Sequence, residues 1–116
     1  DIVTVGVASV VCLQDGGRSC RDVKIALGAV APTPIRAPAA EEVLRGQTIT
    51  DGLVQAAAQE AQDRATPIDD VRGSAAYRKA MVAVLTQRTL EKAIEMARGI
   101  PMPFELQRSL AVQVAF

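Results

Sequence analysis

The first third of the sequence has the hydrophobic pattern of β-structure. Residues 2–13 (IVTVGVASVVCL) are rich in valine and isoleucine, and both sets of alternating positions are apolar. Because neither face of this strand is polar, we expect it to be covered on both sides. The turn sequence QDGG at residues 14–17 ends the strand and predicts an antiparallel hairpin. The second strand, at about residues 20–29, alternates apolar and polar residues over its first half.

The hairpin register decides how the two cysteines are arranged. A two-residue loop at residues 16–17 pairs Leu13 with Cys20 and leaves the two sulfurs on opposite faces, whereas a three-residue loop pairs Cys12 with Cys20. Two cysteines without metal-type spacing are too few for a disulfide scaffold. We therefore favour a buried, reduced pair over a disulfide or redox role, together with a reducing, cytoplasmic setting.

A proline-rich segment follows the second strand. Pro32, Pro34 and Pro38 exclude a central strand or the interior of a helix, and they predict a stiff, extended segment with a short edge strand at residues 34–36. Pro38 is well suited to the first turn of a short helix over residues 38–44, which the glycine two residues further on would end.

Two longer helices complete the predicted elements. Thr50 is a suitable N-cap for a helix over about residues 51–65, and Ser74 for the longest helix, at about residues 75–98. Apolar residues of the longest helix fall on two sides, one with Tyr77, Met81, Val84 and Leu85 and the other with Val82, Leu90, Ala93 and Ala97. Such a helix is either deeply buried or shared with a second surface. We predict one domain over residues 1–99, and the pattern leaves the structure of the tail at residues 100–116 open.

Composition narrows the function classes. Thirteen basic residues balance thirteen acidic ones, and tryptophan is absent, so the chain offers neither a basic field nor stacking platforms for nucleic acid. The longest uncharged stretch, residues 2–14, is too short to span a bilayer as a helix, so we expect no membrane partner. The absence of histidine excludes Ser-His-Asp and Cys-His catalysis and the usual histidine-rich metal sites.

Few residues remain as candidates for chemistry. The adjacent carboxylates Asp69 and Asp70 could hold a metal or act as acid and base, but pairing with Arg72 or capping of the long helix is favoured, because no second acid–base group is identifiable nearby. Arg36, on the stiff proline segment, could meet a phosphate or a partner's carboxylate, or be solvated. We assign no catalytic or metal-binding residue. The candidate interface or structural residues are Pro32, Pro34, Arg36, Asp69, Asp70 and Arg72.

Two longer motifs carry a family resemblance. They are KIALGAVAPTPIRA at residues 24–37 and PIDDVRGSAAYR at residues 67–78, preceded by DIV at residues 1–3 and DGGR at residues 15–18. In this order they closely resemble the C-terminal domain of the FAD-binding medium subunit of molybdenum hydroxylases, the carbon monoxide dehydrogenase and xanthine dehydrogenase group. The resemblance covers about residues 1–98.

The resemblance implies an α+β fold, with a three-stranded antiparallel sheet followed by helices packed on it. In such enzymes molybdopterin oxidises the substrate, iron–sulfur clusters relay electrons, and FAD passes them to the final acceptor. The implied partners are an upstream FAD-binding domain and the iron–sulfur and molybdopterin subunits or domains. The glycine-rich FAD-binding segments of the family lie in upstream domains, and this chain contains none of them. We therefore expect the chain alone neither to bind FAD tightly nor to catalyse hydroxylation.

A second hypothesis belongs to another class of function. An autonomous interaction module would use the same apolar faces to form a homo-oligomer and would bind no flavin. The coding sequence that precedes the chain discriminates the two hypotheses. A continuous frame with a glycine-rich FAD motif supports the subunit, whereas a start codon immediately before residue 1 supports the module.

Overall fold

One antiparallel sheet and three helices form the fold. A computed structural model describes residues 5–28, 35–65, 75–99 and 109–115. The elements in chain order are β1 (Gly6–Gln14), β2 (Ser19–Gly28), β3 (Ile35–Arg36), α1 (Pro38–Leu44), α2 (Asp51–Arg64), α3 (Ala75–Gly99) and β4 (Ser109–Ala115). The sheet has the strand order β3-β2-β1-β4, and each neighbouring pair is antiparallel.

The arrangement confirms the α+β fold, with three strands followed by helices. α3 packs against β1 and β4, α1 packs against β2, and α2 lies against both other helices. The fourth strand, β4, comes from the tail that the sequence pattern left open. It pairs with β1 from Val7 to Leu13, so β1 is central in the sheet. The predicted division of the chain at residue 99 stays a prediction.

The two faces of β1 differ in burial. Alternate residues of the strand, Val7, Ser9, Val11 and Leu13, are fully buried and contact the helical layer. Among them, Ser9 Oγ lies 2.7 Å from Thr89 Oγ1 of α3, and this hydrogen bond fixes the strand against the helix. The intervening residues of β1 are only half-buried and take no part in the core. Within the described residues the helices cover one face of β1 and leave the other half-buried, so the coverage of this strand on both sides stays a prediction.

The hairpin turn differs from a two-residue loop. Asp15, Gly16 and Gly17 form a single 3-10 turn in which all three residues have positive φ. Leu13 pairs with Cys20, as the two-residue loop predicts, but the register shifts between Cys12 and Leu13. Cys12 therefore lies opposite Asp22, and the direct pairing of the two cysteines is not observed. The two cysteines form no disulfide with each other; Cys20 is buried as predicted, whereas the prediction of burial is wrong for Cys12, which is only half-buried, and the reduced state stays a prediction.

The helix boundaries follow the predicted signals where the structure describes them. α1 begins at its proline, and Gly46, at a φ of 76°, turns the chain so that its N–H donates to the carbonyl of Cys20 at 2.7 Å. Thr50 caps α2, since its Oγ1 accepts a hydrogen bond from the N–H of Leu53 at 3.1 Å. Ser74, the predicted cap of α3, lies outside the described residues.

α3 uses its two apolar sides differently. The residues of one predicted side, Val82, Leu90, Ala93 and Ala97, are fully buried. On the other side Leu85 is also buried, whereas Tyr77 is 63% exposed and Val84 is 39% exposed. This favours a helix shared with a second surface over one that is deeply buried on all sides. No helix in the described part of the chain combines the length and the apolar character needed to cross a membrane.

Candidate functional site

Arg36 is the one sequence-predicted candidate that lies within the described residues. Pro32, Pro34, Asp69, Asp70 and Arg72 fall outside them, so their assignment as interface or structural residues stays a prediction. The site that can be built from the structure is therefore the surroundings of Arg36, at the edge of the sheet where β3 meets α1.

Arg36 makes a two-point contact with Glu41 of α1. Its Nε donates to Glu41 Oε2 and its Nη2 to Glu41 Oε1, both at 2.7 Å. The side chain of Glu41 is 3% exposed and that of Arg36 is 51% exposed, so the pair joins a buried carboxylate to a half-exposed guanidinium. A bidentate arginine–carboxylate contact is a strong, charge-assisted pair of hydrogen bonds that also fixes the relative orientation of the two groups.

Glu41 also joins α1 to the sheet. Its Oε2 accepts the backbone N–H of Ile25 in β2 at 2.9 Å, and the Nη2 of Arg45 lies 3.5 Å from its Oε1. Burial by itself raises the pKa of the Glu41 carboxyl, but the hydrogen bonds from Arg36 and Ile25 and the nearby positive charges outweigh it and hold the pKa below its usual range. Glu41 is therefore an ionised anchor at neutral pH.

A second ion pair extends this network across the sheet. Arg45 Nε donates to Asp22 Oδ1 of β2 at 3.0 Å, and Arg45 also meets Glu42. The hydrogen bond from Arg45 lowers the pKa of Asp22. Since these side chains are partly or largely exposed, each pair contributes little to stability on its own. The network holds α1 and the residue that follows it against β2. It presents no group suited to acid–base catalysis.

These contacts give Arg36 a partner that the sequence analysis did not consider. The guanidinium is engaged by a carboxylate of its own chain, and its backbone carbonyl accepts a hydrogen bond from Arg64 Nε at 3.3 Å. Arg36 is therefore ion-paired within its own chain, and its assignment as an interface or structural residue stays a prediction. Sequence reasoning missed Glu41. A signal was available, because Glu41 shares the i, i+3, i+4 spacing of the buried residues Ala37, Ala40 and Leu44.

A cleft of about 400 Å³ lies between the start of α2 and the end of α3. Its rim carries the carboxylates of Asp51, Glu91 and Glu95 and the guanidinium of Arg98. The Nε of Arg98 already donates to the carbonyl of Gly17 at 2.8 Å. A rim with three carboxylates repels a diphosphate, so this cleft does not fit FAD. Within the described ranges no three acidic or thiol side chains are grouped so that they could hold a metal ion.

The two thiols are expected to differ strongly in reactivity. Burial, followed by the charge of Asp22, raises the pKa of Cys20 from 9.0 to about 11, whereas Cys12 is only half-buried on the other face of the sheet. We predict that iodoacetamide at pH 8.5 modifies Cys12 about tenfold faster than Cys20, because the thiolate is the reacting form and access is needed. Peptide mass spectrometry of the labelled chain measures both rates.

The raised pKa of Cys20 also predicts how the stability of the domain depends on pH, which serves as a control for the labelling experiment. A raised folded-state pKa leaves the stability intact below pH 9 and reduces it as the pH rises toward 11, because the unfolded chain then loses the proton first. Cys20→Ala should remove this alkaline loss, and Cys12→Ala should leave it. Equal labelling of both thiols in the folded chain would contradict the placement of Cys20 in the core.

The described residues define an α+β domain with ion pairs at the sheet edge and an acidic cleft between α2 and α3. Apolar residues on β1 and α3 are partly exposed. The family model of the CO dehydrogenase flavoprotein C-terminal domain matches residues 1–93, so the chain belongs to that family. This confirms the family to which the sequence motifs pointed.

Curated relatives show the same family. The carbon monoxide dehydrogenase medium chain of Hydrogenophaga pseudoflava is 37% identical over 93 residues, which cover 80% of this chain and 32% of the relative. The alpha subunit of the 6-hydroxypseudooxynicotine dehydrogenase complex of Paenarthrobacter nicotinovorans is 35% identical over 98 residues, covering 84% of this chain and 33% of the relative. The xanthine dehydrogenase FAD-binding subunit of Escherichia coli O157:H7 is 27% identical over 99 residues, covering 85% and 33%.

Solved structures agree with this fold. Carbon monoxide dehydrogenase from Hydrogenophaga pseudoflava superposes with a TM-score of 0.70 at 39% identity over 81% of this chain and 31% of that chain. Quinoline 2-oxidoreductase from Pseudomonas putida 86 superposes with a TM-score of 0.74 at 32% identity over 81% and 32%. The chain thus spans about a third of the length of the relatives that it matches.

Proposed function

We propose that this chain is the C-terminal domain of the FAD-binding subunit of a molybdenum-containing hydroxylase or dehydrogenase. The match to the flavoprotein C-terminal domain over residues 1–93 carries the proposal. Relatives that share this region are named as medium chains and FAD-binding subunits. In the intact enzyme the domain supports the transfer of electrons from iron–sulfur clusters to FAD, and it is not catalytic alone.

The role of the domain in that enzyme is structural. It packs against the flavin-binding portion of the subunit and helps to form the surroundings of the flavin or the contacts with the iron–sulfur and molybdopterin partners. Two observations support this role. The ionised groups around Arg36 and Glu41 are satisfied within the chain, and apolar surface on β1 and at Tyr77 and Val84 is left partly exposed. FAD, when bound in the intact subunit, supplies the redox chemistry.

Titration of the chain with FAD tests whether the flavin site lies elsewhere. We expect no stoichiometric binding, because the acidic cleft repels a diphosphate and the sequence holds no glycine-rich phosphate loop. Calorimetry or quenching of flavin fluorescence measures the affinity. Tight, stoichiometric binding would show that the flavin site is contained in these 116 residues and would contradict the proposed division of roles.

A further inference from the structure

The half-buried face of β1 is apolar without being part of the core. Ala8, Val10 and Cys12 occupy this face, and each is partly exposed, whereas their neighbours along the strand are fully buried under the helices. A solvent-facing strand ordinarily carries polar residues at such positions. We call the surface around these three residues the open face.

The register extends the open face onto β4. Ala8 pairs with Val114, Val10 with Val112 and Cys12 with Leu110. Residues directly opposite one another in an antiparallel pair lie on the same face of the sheet. Two adjacent strands therefore place six uncharged, apolar positions side by side on this face.

Charged positions border the open face on the β2 side. Val10 lies opposite the exposed Lys24, and Cys12 lies opposite Asp22, which is paired with Arg45. The face thus has apolar residues at its positions on β1 and β4, and its margin on β2 carries two charged residues beside Ala26, which lies opposite Ala8. This division into an apolar centre and a polar rim is the usual composition of a protein–protein contact.

The size of the open face indicates which kind of partner suits it. Together with its margin on β2, the open face spans β1, β2 and β4, which have nine, ten and seven residues. With strands about 4.8 Å apart and about 3.4 Å per residue, they give roughly 400 Å² of sheet surface. Counting both partners, a contact of this size buries roughly 900 Å². That value lies within the range of about 600–1,500 Å² for contacts between domains of one chain. It is below the range of about 1,200–2,000 Å² for stable complexes between separate chains.

We infer that the open face is the surface on which the remaining portion of the same flavoprotein subunit docks. The inference rests on the proposed function. The chain spans about a third of its relatives' length, so about two thirds of such a subunit is available as the occupant. A tether between domains raises their effective concentration, which lets a contact of this modest area stay closed. A second copy of this chain would have no such advantage.

The exposed stripe of α3 is the competing docking surface. It carries Tyr77 and Val84, which are also apolar and exposed. Val10 and Val84 therefore form a matched pair of test sites, one on each surface. A glutamate at position 10 would face Lys24, and a glutamate at position 84 would lie one turn before Arg88. Each substitution thus gains a favourable local charge in the folded domain and differs only in the surface that it disrupts.

Thiol labelling of Cys12 tests the inference directly. We expect iodoacetamide to modify Cys12 about tenfold or more slowly in the flavin-carrying full-length subunit than in the 116-residue chain. Cys20, which is buried beneath the helices, reports in both samples that the domain is folded. Equal Cys12 rates in the two samples would overturn the inference. So would a dimer of the 116-residue chain, measured by light scattering, in which Cys12 is already protected.

The matched variants give a second test inside the full-length subunit. Val10→Glu is expected to split the thermal unfolding of the subunit into two transitions, whereas Val84→Glu keeps one. The opposite pattern would assign docking to α3 and overturn the inference. If the full-length subunit binds FAD but its Cys12 is labelled as fast as in the isolated chain, only the assignment of the docking face is refuted. A full-length product without FAD refutes the proposed function itself, so the two failures are distinguishable.

Discussion

Replacing Glu41 with alanine is expected to lower the free energy of unfolding by about 3 kcal/mol, at the lower end of the range for breaking a buried ion pair. The substitution removes the acceptor of two hydrogen bonds from Arg36 and leaves the buried backbone N–H of Ile25 without its partner. The lower end applies because Arg36 is half-exposed and water can solvate its guanidinium. Urea unfolding monitored by circular dichroism measures the change.

Glu42→Ala is the matched control for this prediction. Glu42 neighbours Glu41 on the same helix and also meets Arg45, but its side chain is 66% exposed, so we expect a change below about 0.5 kcal/mol. Equal losses for the two variants would contradict the anchoring role of Glu41.

The pH dependence of stability gives a further control on Glu41. A lowered folded-state pKa gives stability that is complete above the ordinary value of 4.5 and is lost as the pH falls through the folded value. The unsubstituted chain should therefore lose stability below pH 4.5 more steeply than Glu41→Ala does. Parallel acid profiles would show that the carboxylate is not stabilised by the fold.

Gly17→Ala is expected to destabilise the domain by about 2–3 kcal/mol. Gly17 has a φ of 89°, where a Cβ is disfavoured by about 1–2 kcal/mol, and the added Cβ would lie 3.0 Å from Cγ of Arg98. Relief of that contact requires the Arg98 side chain to move away, with loss of its hydrogen bond to the Gly17 carbonyl, worth about 1 kcal/mol. Chemical denaturation gives the difference.

Gly16→Ala separates backbone strain from crowding. Gly16 has a φ of 67°, yet a Cβ added there would meet nothing within 4 Å, so only the strain of about 1–2 kcal/mol is expected. In an Arg98→Ala background the penalty at Gly17 should fall to that of Gly16. An unchanged penalty in that background would show that the contact between α3 and the hairpin turn carries no energy.

The starts of α1 and α2 could be predicted from the sequence, because each depends on a residue at the start of the helix itself. A proline at the first turn placed α1, and the hydroxyl of Thr50 placed the start of α2. The geometry of the hairpin turn was less accessible, because Asp15 joins the two glycines at positive φ and a bulge then shifts the register. An Asp-Gly-Gly sequence permits several loops, and the packing of Arg98 on Gly17 distinguishes among them only after α3 is in place.

The strand β4 and the contact between Arg36 and Glu41 could not be predicted from the sequence, because both depend on contacts between separate elements. Leu110, Val112 and Val114 alternate with period two, but their assignment to a strand depends on pairing with β1, about a hundred residues earlier. The contact between Arg36 and Glu41 likewise requires α1 to fold back onto β2. Both faces of β1 are mainly apolar, as the sequence pattern indicates, although Ser9 places a hydroxyl group on the buried face. The pattern could not reveal that the described chain covers only one of them.

The flavin content of the full-length polypeptide that includes this chain is the most direct measurement of the central claim. We predict stoichiometric FAD in the purified product of the continuous reading frame, and none retained by the 116-residue chain after incubation with FAD. A flavin-free full-length product, or a reading frame that encodes this chain alone, would contradict the account.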